Sequence, residues 1–253
     1  MSVLTVEQNG PLVIATLNRP EVKNAINAEL HTALTEFFAR MALDHVTRCV
    51  VLTGAGAAFS AGGDLKWLEI VARDPHERWR SIDEARRLVH NVLNCSIPVI
   101  VAVNGPAVGL GSSLASLADI IYMSDASYFA DPHVPLGIAA GDGAAIAWPF
   151  HISMLRAKEF LFTGDKIDAV VAERIGLANR VLPLNDLMPA AIALAQRLSK
   201  VPAHSLRATK QAMNVQLRRA ALGTLEFVSA AESEHFTFEE FRSAINAAGA
   251  RQR

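Results

Sequence analysis

Between residues 48 and 124 the sequence alternates short β-rich runs (48–53, 98–103 and 119–124) with helix-compatible stretches (65–72, 75–94 and 111–117). Strands separated in this way cannot close into tight hairpins. A parallel neighbour needs a crossover of about a dozen residues or more, usually a helix, so the pattern predicts βα units and a largely parallel sheet covered by helices. Upstream, residues 3–8 and 11–17 flank Asn9-Gly10, a hairpin signal, and 27–41 reads as a helix. Beyond Asp142 β-branched runs become rare. Residues 143–150, 154–162, 169–175, 186–199, 202–217 and 237–248 read as helices, with Pro183 and Pro202 as punctuation. The expected organisation is an α/β core over residues 1–200 and a C-terminal helical subdomain over 201–253.

With 51% hydrophobic and 19% charged residues, the chain has apolar surface to spare for subunit contacts, which predicts an oligomer. A net charge of −1 supplies no basic excess for phosphate, so nucleic acid is not an expected partner. Cys49 and Cys95 match neither metal-ligand spacing nor a disulfide framework and read as buried thiols. The N-terminus shows no basic region followed by an apolar stretch, and no run reaches the roughly 18 apolar residues of a membrane span. The expectation is a cytoplasmic protein away from membranes.

Two glycine-rich segments, 54–65 and 104–113, each follow a strand and lead into a helix. Small residues there allow close backbone approach to a ligand, and amides at a helix start suit an oxyanion. Alone, each is more often just a tight turn. Gly109-Leu110-Gly111 runs on into Ser112-Ser113, not into a dinucleotide fingerprint, and Ser113 does not sit in a Gly-x-Ser-x-Gly elbow. No His-Glu-x-x-His or comparable spacing exists, so no metal is expected.

Together these segments are specific. Asn18-Arg19-Pro20-Glu21 with Lys23-Asn24-Ala25-Ile26-Asn27, then Phe59-Ser60-Ala61-Gly62-Gly63-Asp64-Leu65, then Asn104-Gly105 to Gly111, resemble the crotonase (enoyl-CoA hydratase/isomerase) superfamily in order and spacing. The resemblance implies a crotonase-type spiral of ββα units with a C-terminal helical trimerisation region, assembled as a homotrimer or hexamer. It places the oxyanion-hole amides on Gly63 and Leu110, and substrate contacts at Lys23, Ala25, Ala61, Gly62, Asp64 and Gly111. A charge at the start of a helix, such as Asp64, is more often a complement to the helix dipole or a solvated group. The implied substrate is an acyl-CoA thioester, with coenzyme A part of the substrate and no separate cofactor.

The sequence departs from the hydratase pattern at two positions. Family hydratases carry glutamates where this chain has Ser113 and His133. A histidine oriented by a carboxylate on its far nitrogen is suited to activate water through its free nitrogen, and Asp142 is the candidate partner. The alternative is a packed His133 with Asp142 capping the helix that follows. The segment around His133, Asp142 and Trp148-Pro149 also resembles 6-oxocamphor hydrolase, a crotonase relative that cleaves β-diketones by retro-Claisen hydrolysis. Three functions stay open: an enoyl-CoA hydratase-like or C–C-hydrolysing enzyme acting on acyl-CoA, a hydrolase of a non-CoA β-dicarbonyl, and a non-catalytic acyl-CoA-binding homologue.

Overall fold

The computed structural model describes residues 2–250. Strands β1 (Leu4–Asn9) and β2 (Leu12–Leu17) form the expected hairpin, with Leu4 opposite Leu17. Helix α1 (Ala28–Leu43) starts at Asn27, whose side chain accepts from the Leu30 amide. It leads to β3 (Cys49–Gly54), which pairs in parallel with β2. Helices α2 (Leu65–Arg73) and α3 (Pro75–Asn94) cross back to β4 (Val99–Val103). After β5 (Ala107–Val108) and α4 (Leu110–Ser116) comes β6 (Ile120–Ser124), and β7 (Tyr128–Ala130) precedes α5 (Ala144–Ile152) and α6 (Met154–Thr163). Then follow β8 (Ile167–Asp168), α7 (Ala169–Ile175), β9 (Arg180–Leu182) and α8 (Leu184–Ser199).

The main sheet has the order β1-β2-β3-β4-β6-β9, parallel beyond the first hairpin, and β5-β7-β8 form a small second sheet. This is the mixed α/β architecture expected from the alternating runs. Strands β3 and β4 are buried on both faces, which is why they read as unbroken apolar runs. One face packs under α1, α3 and α5, where Phe37, Phe38 and Trp148 fill the core; α8 covers the other through Leu187, Ala191 and Ala195.

The last three helices, α9 (Ala203–Met213), α10 (Val215–His235) and α11 (Glu239–Ala250), return onto this core. Lys210 on α9 reaches the sheet end, where its Nζ lies 2.7 Å from Asp119 and donates to the Ile97 carbonyl at 2.8 Å. Helix α10 packs on α3 and α5, and α11 on α2. Two helices, at 202–217 and 237–248, were expected here. The structure instead breaks at Asn214 and runs α10 for 21 residues through a stretch without clear sequence periodicity.

Candidate active site

The motif residues around the first glycine-rich segment are fasteners. Asn24, in the left-handed region at φ 55°, donates to the carbonyls of Ala55 and Ala58 at 2.8 Å each and accepts from the Arg19 amide. Asn104 holds the same loop from the other side, accepting from Gly54 N–H and donating to the Gly56 carbonyl. Ile26 N–H bonds Gly62 O at 2.7 Å and Asp64 N–H bonds Ile26 O at 2.9 Å, while Gly62 N–H goes to Ser60 Oγ. The residue between them, Gly63, keeps a free N–H among the described residues.

The second segment is pinned the same way. Val108 N–H bonds Ser60 O, and Gly109 N–H bonds Ala130 O, both at 2.9 Å, leaving the N–H of Leu110, the first residue of α4, unbonded among the described residues. Gly62 and Gly109 both have positive φ, and their backbones touch: a β-carbon on Gly62 would lie 2.8 Å from Val108 O. Only glycine permits this approach. Gly63 and Leu110 line one cavity of about 300 Å3, together with Ala61, Gly62 and Val108.

The loop after β7 brings His133 and Asp142 to that cavity. Its imidazole Nε2 is 3.0 Å from Asp142 Oδ2, and its Nδ1 contacts Asp131 Oδ1, which also accepts the His133 backbone N–H at 3.2 Å. Sequence reasoning expected one nitrogen to be free. In the structure both are engaged, with Asp131 as a second carboxylate partner. Asp142 does not cap α5; the Ala144 N–H goes instead to the Ser113 hydroxyl at 3.2 Å. Ser113 is fully buried and holds α5 to α4.

Burial alone would lower the His133 pKa, but the charges of Asp131 and Asp142 and their hydrogen bonds outweigh it and hold the imidazole well above the ordinary histidine value. His133 is therefore an imidazolium near neutral pH, donating to a carboxylate on each side. Its Cε1 is 3.6 Å from where a β-carbon of Gly109 would sit, which places the ring beside the second glycine segment.

Sequence reasoning missed Glu232, which α10 delivers to the same cavity. One side-chain atom each of His133, Asp142 and Glu232 lies within 4.8 Å of the others. Burial and then the charge of Asp142 push the Glu232 carboxyl well above its ordinary value, which favours its protonated form. These three donors have the chemistry of a divalent-cation site; without a cation, the imidazolium offsets one of the two carboxylates that flank it, and a proton on Glu232 would keep that group from adding a further negative charge.

The remaining sequence candidates lie at the margin. Ala61 donates to the carbonyl of Lys23, itself exposed with φ 55°. Asp64 accepts from the Lys66 and Trp67 amides at the start of α2, and Arg19 lies 3.1 Å from its Oδ2. Ala25 is half-buried, its carbonyl accepting from Arg19, and Gly111 packs against Ser60.

Residues 7–249 match the enoyl-CoA hydratase/isomerase family. The chain belongs to that family. It is 35% identical over 229 residues to a probable enoyl-CoA hydratase of Mycobacterium bovis, covering 88% of this chain and 80% of that protein. An enoyl-CoA hydratase/isomerase from Mycobacterium paratuberculosis of known structure is 43% identical, with a TM-score of 0.95 over 98% of both chains. A β-diketone hydrolase from the cyanobacterium Anabaena, bound to (S)-3-oxocyclohexyl acetic acid, is 31% identical, with a TM-score of 0.87 over 93% of this chain and 94% of that one. Within this crotonase-superfamily enzyme, His133, Asp131, Asp142 and Glu232 form a buried cluster of titratable side chains beside the two glycine segments. Among the described residues no helix is long and apolar enough to cross a membrane.

Proposed function

We propose that this chain processes an acyl-CoA thioester by adding water, either across an enoyl double bond or to a β-carbonyl whose C–C bond then breaks. The supporting observation is one cavity holding two unbonded backbone N–H groups, on Gly63 and Leu110, next to the Glu232 carboxyl and the His133–Asp142 pair. Such paired N–H groups stabilise negative charge on a carbonyl oxygen as it develops. Asp142 accepts the proton of the attacking water while His133 holds it in place and stabilises its charge. Glu232 delivers the proton that the enolate carbon takes up. A water proton goes in at Asp142 and an equivalent proton leaves Glu232, so the cluster returns to its starting state by passing one proton between two neighbouring carboxyls. This reproduces the acid and base of the two-glutamate pattern with other residues.

A second reading, hydrolysis of a β-diketone not bound to CoA, is supported by the likeness to the Anabaena hydrolase. The same groups serve it: water attacks the carbonyl held by Gly63 and Leu110, the C–C bond breaks, and the leaving enolate takes its proton from Glu232. Incubating the purified protein with crotonyl-CoA, acetoacetyl-CoA and a cyclic 1,3-diketone separates the readings by mass spectrometry. Hydrated or cleaved CoA ester supports the first, a ring-opened keto acid the second. Tight binding of CoA esters with no turnover of any of the three overturns both in favour of a binding protein.

A further inference from the structure

A second polar group in the same cavity plays no part in this proton traffic. His31 on α1 and Trp67 on α2 both line the cavity, 1% and 8% exposed, with ring centroids 5.5 Å apart and planes inclined at 65°. Neither nitrogen of His31 nor Nε1 of Trp67 has a hydrogen-bond partner among the described residues. The surrounding wall is mostly apolar, from Leu65, Leu68, Ile82 and Ala85, with the Ser81 side chain also lining it. Leaving buried donors and acceptors unmet is costly, so a cavity that keeps His31 Nε2 and Trp67 Nε1 without partners calls for a bound one.

The chemistry of that partner follows from the hydrogens. His31 Nδ1 is 3.5 Å from Oε2 of buried Glu84, whose Oε1 accepts from Thr32 Oγ1 at 2.7 Å. Burial keeps the imidazole below the ordinary histidine value against the opposing charges of Asp142 and Glu84, and so favours the neutral ring, with Glu84 the carboxylate within 4 Å of a ring nitrogen. A neutral ring beside a carboxylate carries its hydrogen on the nitrogen facing it, which leaves Nε2 as an acceptor. Trp67 Nε1–H can only donate. An acceptor and a donor side by side match a hydroxyl, which gives one hydrogen and takes another.

Building on the acyl-CoA reading above, we propose that the acyl group carries a hydroxyl beyond its reacting carbons, held between His31 Nε2 and Trp67 Nε1–H. The test uses saturated, unreactive esters: hexanoyl-CoA against its 4-, 5- and 6-hydroxy derivatives, measured by calorimetry. One hydroxy isomer is expected to bind about 10-fold more tightly than hexanoyl-CoA, the scale of a net hydrogen bond. Trp67→Phe, which keeps the ring and removes only the N–H, and His31→Leu should each bring that ratio towards one. Four equal affinities, or an advantage that survives both substitutions, overturn the hydroxyl proposal and leave the CoA reading standing. No binding by any ester, hexanoyl-CoA included, overturns the acyl-CoA reading and this proposal with it.

Discussion

The Glu232 carboxyl lies against Gly141, so close that a β-carbon on Gly141 would collide with Oε2. Gly141→Ala must therefore displace the carboxyl from the cluster. The expected result is a stability loss of about 1–3 kcal/mol, typical of overpacking, with a fall in kcat. Gly223→Ala, on an open stretch of the same helix with nothing within 4 Å of the new carbon, should instead stabilise by roughly 0.5–1 kcal/mol. Thermal melts of the two variants check the contrast; equal effects would show that Glu232 tolerates displacement.

Glu232→Gln keeps the shape of the protonated side chain but cannot give up a proton. It should fold normally, bind substrate and lose kcat by about 10²–10⁴-fold, as loss of a general acid does. Wild-type turnover in this variant would place the proton donor elsewhere.

His133 titrates above its ordinary value in the folded chain, so the native state binds a proton more tightly than the unfolded state does. Its contribution to stability is complete below the unfolded histidine value of about 6.5 and is lost as pH rises through the folded value. Glu232 has the same sign, its loss starting from about 4.3. Denaturation midpoints should therefore fall towards alkaline pH, and less steeply in Glu232→Gln. Activity should follow. A neutral imidazole base, as the sequence first suggests, predicts an acid limb near the histidine value, whereas an imidazolium that holds Asp142 predicts an alkaline limb. A kcat/KM profile with only the acid limb would restore the sequence-based roles.

Leu110 is the first residue of α4, a position where proline is tolerated because its N–H has no helical acceptor. Leu110→Pro and Leu110→Ala both lose the leucine side chain, but only proline removes the proposed oxyanion donor. The proline variant should have kcat about 10²–10³-fold below the alanine variant at similar thermal stability. Equal kcat values would remove Leu110 from the oxyanion hole.

How much of this was readable depended on how locally each feature is encoded. The long runs of β3, β4 and α3 announce themselves through length and composition, and the glycine segments through residues whose conformations few others adopt. Strands β5, β7 and β8 span only two or three residues each, too short for any period to register. Asp131 had a local clue: it stands two residues before His133 across Pro132, the spacing at which an aspartate accepts the later backbone amide. Glu232 had none. A carboxylate in a helix of mixed polarity looks solvated, and only the long-range packing of α10 on α3 and α5 shows it is buried.

Ser113 decides whether this chain could accommodate the glutamate that the hydratase pattern has at that position. Its hydroxyl now receives the first amide of α5, from a site with no exposure. Returning a glutamate there would remove that bond and push a longer, charged chain into packed core while His133 stayed in place. Ser113→Glu alone therefore cannot install the two-glutamate arrangement; the facing ends of α4 and α5 would have to be repacked with it.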